Sequence, residues 1–325
     1  MKLPRRNFLH LAAGAAATTT VSRVARAQAY PSRPVHWIVG YTPGGGNDIF
    51  ARLMGQWLQA QLGQPFVIEN RPGAGSNIAT EAVVNARPDG YTILLANFAN
   101  ASNATLYEKL NFNFIRDIVP VAGIVRVSNI MLVNQSLPVK TVPEFIAYAK
   151  VNQGKMSMAS AGIGSTGHFA GELLKMMAGV DFLHVPYRGN APALTDLLSG
   201  QVQILFASLP SSIEYVRTGK ARGLAVTSAV RAATEPDLPA VAEFVAGYEV
   251  SSWYGIGAPR NTPAEIVETL NKAVNAGLAD PKVKKQLDDQ GGIEMAGTPA
   301  DFGKLIADET EKWAKVIKFA GIKPQ

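Results

Sequence analysis

The sequence predicts an α/β protein of two units, each a mostly parallel sheet flanked by helices. Three observations carry this. Strand-like and helix-like patterns alternate along most of the chain, and a βαβ order implies parallel strands with helices on their faces. Strand segments such as "YTILLAN" are almost wholly apolar, as strands covered on both faces are. Three loops between strand ends and helix starts are rich in glycine, serine or asparagine.

The chain opens with "MKLPRRNFLHLAAGAAATTTVSRVARAQA". Arg5-Arg6 before Asn7, Phe8 and Leu9, then a short apolar stretch, then Ala25-Arg26-Ala27 as a cleavage site, reads as a twin-arginine export signal over residues 1–27. The mature chain is then expected to begin near Gln28, in the periplasm. Next come the strand "VHWIVGY", the helix "NDIFARLMGQWLQAQLG" with Phe50, Leu53, Met54, Trp57 and Leu58 at 3–4 spacing, the strand "PFVIEN", the helix "NIATEAVVNAR" and the strand "YTILLAN". A second cycle starts near Asn129. "NIMLVN" is a strand, "TVPEFIAYAKVN" a helix with Thr141 as N-cap, and "KMSMASA" a strand before the helix "HFAGELLKMMAG". "DFLHVPY", "QVQILFAS" and "ARGLAVTS" follow as strands, with "APALTDLLSG" and "SSIEYVRTG" as helices. "SSWYGIGAP" looks like a strand returning to the first unit, and three helical segments close the chain. Two units of about a hundred residues fit this length.

Composition narrows the function. The 325 residues are 47% hydrophobic and 17% charged, an ordinary globular balance, and no apolar run reaches the length of a membrane span. No cysteine is present, so disulfides, thiolate metal sites and cysteine nucleophiles are excluded. Residues 1–27 hold Lys2, Arg5, Arg6, Arg23 and Arg26 and no acid, so their removal leaves 26 basic against 25 acidic side chains, and the net charge falls from +6 to +1. With no basic cluster in the remainder, nucleic acid is not an expected partner.

The three loops are residues 41–48, 69–79 and 160–168. Each follows a strand and opens a helix, which gathers unpaired backbone N–H groups and a positive helix end at one point. In open α/β sheets that point, at the carboxyl ends of the strands, is where ligands sit. An anion is the ligand this favours. Gly162, Gly164 and Gly167 also match the G-x-G-x-x-G dinucleotide fingerprint. The following strand, "DFLHVPYRG", ends in Tyr187-Arg188 instead of an acid, so the alternative it leaves is an exported NADP-dependent oxidoreductase. No Walker A pattern occurs, and Ser160 and Ser165 lack the G-x-S-x-G context. Ser165 and His168 lie three apart, but a histidine bonded near a helix start is the commoner reason for that spacing. His36, His168 and His184 lack metal-ligand spacing, and the carboxylates are scattered. No metal, cofactor or catalytic residue is expected.

These motifs resemble a family. "YPSRPVHWIVGYTPGGGNDIFARL", "GQPFVIENRPGAGSNIATEAVVNARPDGYTILL", "SAGIGSTGHFAGELLKMMAGVDFLHVPYRGNAPALTDLLSGQV" and "WYGIGAPRNTP" together resemble the substrate-binding proteins of tripartite tricarboxylate transporters, the Bug family. The resemblance covers essentially the whole mature chain. It implies a two-domain periplasmic binding protein of type II with the ligand cleft between domains, residues 28–126 with 251–325 forming one domain and 127–250 the other. It further implies a carboxylate held by amides and hydroxyls of residues 160–168, here Ser160, Gly162, Gly164, Ser165, Thr166 and His168. Waters would hold the ligand's other end against Tyr41, Thr42, Gly45, Asn47, Asp48, Gly73 and Asn77. Strand ends add Asn97 and Ser208, and Phe98, Tyr187 and Phe206 are candidates for an apolar wall or for core. Ala207 stands where many relatives carry Asp, which disfavours a ligand amino group. The expected ligand is a di- or tricarboxylate or an aromatic acid, the expected partner a tripartite transporter's membrane subunits, and the expected state a monomer that does no chemistry.

Overall fold

The computed structural model describes residues 30–320, so the expected export signal over residues 1–27 lies outside the described residues. The first unit runs β1 (Val35–Val39), α1 (Gly46–Leu62), β2 (Phe66–Asn70), α2 (Asn77–Val84) and β3 (Thr92–Asn97). β1 pairs in parallel with β2, Val35 opposite Phe66, and with β3, His36 opposite Thr92. α1 buries Phe50, Ala51, Met54 and Leu58 and stops at Gly63, whose left-handed φ of 73° lets its N–H return to the Gln59 carbonyl.

The stretch between β3 and the second cycle holds more structure than its sequence suggests. α3 (Phe98–Leu106) follows β3 without a loop, and the short α4 (Phe114–Asp117) leads into β4, one strand of 16 residues from Ile118 to Val133. The second unit then runs α5 (Val142–Val151), β5 (Ser157–Ser160), α6 (Thr166–Ala178), β6 (Leu183–Pro186), α7 (Asn190–Ser199), β7 (Ile204–Ser208), α8 (Leu209–Arg217) and β8 (Arg222–Val226). β9 (Ser251–Pro259), α9 (Ala264–Ala279), α10 (Pro281–Asp289), β10 (Gly292–Glu294) and α11 (Pro299–Ala320) complete the chain.

One sheet runs through the molecule in the order β2-β1-β3-β9-β4-β7-β5-β6, with β8 and β10 also paired to β4. The parallel pairs, β1 with β2 and β3 and β5 with β6 and β7, lie inside the two βαβ units. Every antiparallel pair involves β4 or β9. β9 returns the chain to the first unit as its sequence suggests, lying between β3 and β4. β4 serves both units, its residues 118–128 pairing with β9 and 129–133 with β7.

The apolar strands are explained by burial on both faces. Trp37 and Val39 join one buried cluster and Ile38 the other; Ile93 and Leu95 alternate with Leu94 and Ala96 in the same way. A strand with a side chain in each cluster has no solvent face and shows no polar alternation. α11 closes the first unit from the C-terminus. Its buried Trp313 meets Phe98 of α3 at 4.8 Å and Phe169 of α6 at 4.9 Å between ring centroids, and donates its indole N–H to Glu309 at 2.8 Å.

Candidate functional site

The carboxyl ends of strands from both units converge, and five helices begin around one small cavity. Asn47 in the first turn of α1, Asn97, Phe98 and Ala99 at the start of α3, Ser165, Thr166 and Gly167 at the start of α6, Asn190 at the start of α7 and Ser208 before α8 line it. The crossing strands add Asn129, Ser252 and Tyr254, and Tyr41, Ala161 and Phe206 complete the wall. No charged side chain and no histidine is among the lining residues. Each helix start contributes roughly half a positive charge through aligned peptide dipoles. The amides of Phe98, Thr166 and Gly167 occupy the first positions of their helices, where no carbonyl lies one turn back to take their protons. The cavity is therefore electropositive through its backbone alone, which suits a small anion.

Side-chain bonding sharpens this. Asn129, 1% exposed, accepts at Oδ1 from the Ser252 hydroxyl at 3.0 Å, which fixes the amide so that its buried Nδ2 faces the cavity with no partner. Because Ser252 spends its only proton on Asn129, Thr166 Oγ1, 2.7 Å away, is the donor to Ser252. Ser165 donates to the Gly162 carbonyl at 2.6 Å and accepts from the His168 amide at 3.3 Å. The protons of both hydroxyls are thus committed to the protein, and toward an anion this loop presents amides. Tyr254 is held as a neutral phenol, its pKa pushed up to about 12 by burial.

The loop before α6 is buttressed from behind. Gly164 has φ +82°, and a Cβ there would run into the Asn103 side chain. The Gly164 amide donates to His168 Nδ1 at 3.4 Å, and the His168 ring stacks on His184 at 4.2 Å, almost parallel. His184 Nε2 lies 2.7 Å from Ser160 Oγ, which also accepts from the Gly162 amide. Burial, reinforced by His184 and Lys175, lowers the His168 pKa to about 3. Burial and Lys175 lower that of His184 to about 4. Two neutral imidazoles thus hold the loop and bring no charge to it.

The first glycine loop is held in a similar way. Asp48 accepts from the Gly44 amide at 3.0 Å and from Arg52 Nε at 2.9 Å. Burial raises its pKa, but the bonds from Arg52, Gly44 and Asn70 together with the Arg52 charge outweigh it and the carboxyl is lowered. Gly46 is a matter of space: a Cβ there would stand 2.7 Å from Ser208 Oγ and 2.8 Å from the Tyr254 hydroxyl. The two units touch over the cavity. The Gly46 amide donates to Ser208 Oγ at 3.2 Å, Thr42 N–H to the Arg188 carbonyl at 3.3 Å, and Ser102 Oγ to the Gly164 carbonyl at 3.0 Å. A second chamber, of about 160 Å³, shares Tyr41 and Ala161 with the first and reaches residues 73–76, Tyr107, 162–163 and 186–188.

Of the residues singled out in the sequence, Tyr41, Asn47, Asn97, Ser165, Thr166 and Ser208 line the inner cavity, and Gly73, Gly162 and Tyr187 line the outer chamber. Thr42, Gly45, Asp48, Asn77, Ser160, Gly164 and His168 line neither and shape the loops that do. Ala207 is 1% exposed in the apolar cluster behind the wall and lines neither chamber. What disfavours an ammonium group is the lack of any lining carboxylate in either chamber. Phe206 and Phe98 are both wall and core. Asn129, Asn190, Ser252 and Tyr254 are additions: Asn190 follows a glycine at a helix start, a readable signal, whereas the other three sit inside strands. The fingerprint glycines are each packed against protein: Gly164 lies against Asn103 of α3 and its carbonyl accepts from Ser102, Gly162 lies against the Tyr187 carbonyl, and Gly167 lies against the Phe206 carbonyl. Among the described residues no cluster of histidine and carboxylate side chains could hold a metal, and no helix is long and apolar enough to cross a membrane.

Comparison with known proteins agrees with this geometry. Residues 50–322 match the model of the tripartite tricarboxylate transporter family receptor, TctC. Protein BugT of Bordetella pertussis is 34% identical, the alignment covering 94% of this chain and 95% of that protein. An R. palustris protein solved with adipate superposes with a TM-score of 0.89 at 39% identity, covering 91% of this chain and all of the other. MatC from Rhodopseudomonas palustris, with bound malate, gives a TM-score of 0.83 at 32% identity, covering 89% of this chain and all of the other.

Proposed function

The chain belongs to the tripartite tricarboxylate transporter receptor family, and on that premise we propose that it captures a small organic carboxylate in the cleft between its two units and delivers it to a tripartite-type membrane transporter. The observation that carries the reading is the inner cavity: five helix starts and the Asn129 Nδ2 converge on a space lined by no charged side chain. Such a site neutralises a carboxylate by backbone dipoles and hydrogen bonds. It offers no acid, base or nucleophile pair for chemistry, so capture and release is the reading, and no cofactor is invoked. Adipate and malate in two relatives are both carboxylates, which agrees with it.

The finer features belong to the same proposal. Residues 28–126 with 251–325 act as one domain and 127–250 as the other, hinged on β4 and β9. Residues 1–27 direct the chain to the periplasm and are removed there, and the mature protein works as a monomer. Nothing in the geometry favours the oxidoreductase alternative: Gly164 is packed against Asn103 of α3 and Gly167 against the Phe206 carbonyl. A thermal-shift screen of the mature chain against dicarboxylates, tricarboxylates, aromatic acids, amino acids and NADP tests the proposal. A carboxylate at a hundred times its Kd adds about 2.7 kcal/mol of stability. Stabilisation by amino acids or NADP, with none by carboxylates, would overturn it.

A further inference from the structure

Resting on the hinged carboxylate capture read above, we propose that a cavity on the far face of the crossing strands is a regulatory site for a small, uncharged, largely apolar molecule, and that filling it tightens the hold on the carboxylate.

Position is the first observation. Asn129 of β4 and Ser252 of β9 line the inner cavity, whereas their chain neighbours Ser128 and Ser251, paired with each other across the two strands, line a different cavity of about 600 Å³. Successive strand residues point to opposite faces of a sheet, so the crossing strands separate the two spaces. The walls of the far cavity come from both units. The loop after β8, from Ser228 to Thr234, forms one side, and residues 291–293 leading into β10 form the other. On the cleft side the units are joined, by the Gly46 to Ser208 bond among others. A rotation about β4 and β9 that parts the units there brings the far walls together. The far cavity is therefore widest when the cleft is shut, and a molecule lodged in it opposes opening. A ligand that favours one of two states shifts the balance by its difference in affinity for them, and the coupling between two such ligands is reciprocal.

Chemistry is the second observation. The volume and the mostly apolar wall are those of a small-molecule site. Val230 of the second unit and Ile293 of the first, 72% and 67% exposed, both belong to this wall. Its charges are already balanced: Arg126 lies 3.9 Å from Glu309, Arg231 is held by both oxygens of Glu243, and Asp288 is offset by Lys284 and Lys285. An ionic ligand would upset that balance, and an uncharged one would not. Two polar groups of the wall lack a hydrogen bond among the described residues, the Arg126 guanidinium and the buried Thr234 hydroxyl. Both can donate. The matching ligand is an apolar body that carries one acceptor, such as a ketone or ester carbonyl.

Calorimetry on the mature chain tests this with 2-acetonaphthone, a neutral aryl ketone, as probe for the far cavity and with adipate and malate as probes for the cleft. Saturating ketone is expected to tighten the better-bound acid about five- to tenfold, and the acid to tighten the ketone by the same factor. Ala233→Trp and Val230→Trp each set an indole at the wall. They should tighten the acid with no ketone present and abolish ketone binding. Both positions are exposed, so circular dichroism should match the parent. Thr234→Val should weaken the ketone and leave the affinity for the acid alone unchanged. No ketone binding by the parent, or a ketone that weakens the acid, overturns the site. Ketone binding unaltered in both tryptophan variants puts the ketone elsewhere and does the same. If no carboxylate binds, the reading beneath this one fails, while ketone binding that the tryptophan variants abolish supports the far cavity by itself.

Discussion

Asn129 Nδ2 is a buried donor with no acceptor in the protein, and leaving such a group unpaired is costly. A ligand carboxylate that satisfies it gains a hydrogen bond that the hydroxyls of Ser165 and Thr166 cannot offer, because their protons are already bonded to the protein. Asn129→Ala should therefore weaken carboxylate binding about ten- to a hundredfold by calorimetry. Ser165→Ala should cost less affinity and more stability, because the residue caps α6 and ties Gly162; loss of such a cap costs about 1 kcal/mol. If Ser165→Ala proves the more damaging to affinity, the ligand is held by hydroxyls and the amide reading fails. Gly164→Val places a Cβ against Asn103 at a left-handed φ, and should abolish binding while circular dichroism confirms the fold.

The stacked histidines give a pH prediction at the same scale. Their folded pKa values, about 3 and about 4, lie below the unfolded value of 6.5. The unfolded chain therefore binds more protons than the folded one in this interval, and stability falls as pH drops below about 6.5. Near pH 5, unfolding should take up close to two extra protons, one for each ring. A denaturation series from pH 7 to pH 5 would read this as falling stability, flattened in His168→Asn. A slope unchanged by that substitution would show that His168 is not buried neutral.

At the scale of elements, the regular βαβ units are legible and the junction between them is not. β1, β2, β3 and the helices between them stand out because strand and helix periods alternate with glycine loops. β4 does not read as one strand, because Pro120 and Gly123 look like breaks. The structure absorbs them as register shifts against β9, between Pro120 and Ala122 and between Gly123 and Val125. α3 is hidden for another reason. "FANASNATL" lacks an apolar stripe, since the helix is buried on most sides and its Asn and Ser side chains bond inside the protein. Its start is set by Asn97, which accepts from Ala99 N while its own N–H is bound by Asn100. Asn129, Ser252 and Tyr254 escape a sequence reading because strand pairing over more than a hundred residues brings them to the cavity. The Thr141 cap, in contrast, is local and readable, and accepts from Glu144 N at 3.3 Å. Thr141→Ala should cost about 1 kcal/mol in denaturant unfolding with ligand affinity unchanged, which makes it a control for the site variants.

For the whole molecule, the two units are joined through β4, β9 and hydrogen bonds that cross the cavity, among them Gly46 to Ser208, Thr42 to Arg188 and Ser102 to Gly164. If the proposed hinge operates, the ligand-free chain spends time with those bonds broken, and a ligand shifts it toward the compact form. Small-angle scattering should show a smaller radius of gyration at saturating carboxylate, and Ser102→Ala, which removes one crossing bond, should weaken binding a few-fold. An unchanged radius would argue for a site that does not open. Mass spectrometry of the exported chain should find its N-terminus at or near Gln28, and an intact Met1 terminus would contradict the signal reading.

The proposed grip by main-chain amides would carry an evolutionary consequence. No single side-chain exchange deletes an amide short of proline, so the capacity to hold one carboxylate is robust to most mutations at Phe98, Thr166 and Gly167 that preserve the fold. Side chains such as Tyr41, Tyr107 and Arg188 have no such protection, and they can be exchanged while the anchor persists. Descendants of one ancestral sequence can therefore diverge in diet by substitutions at the rim while the innermost recognition stays the same.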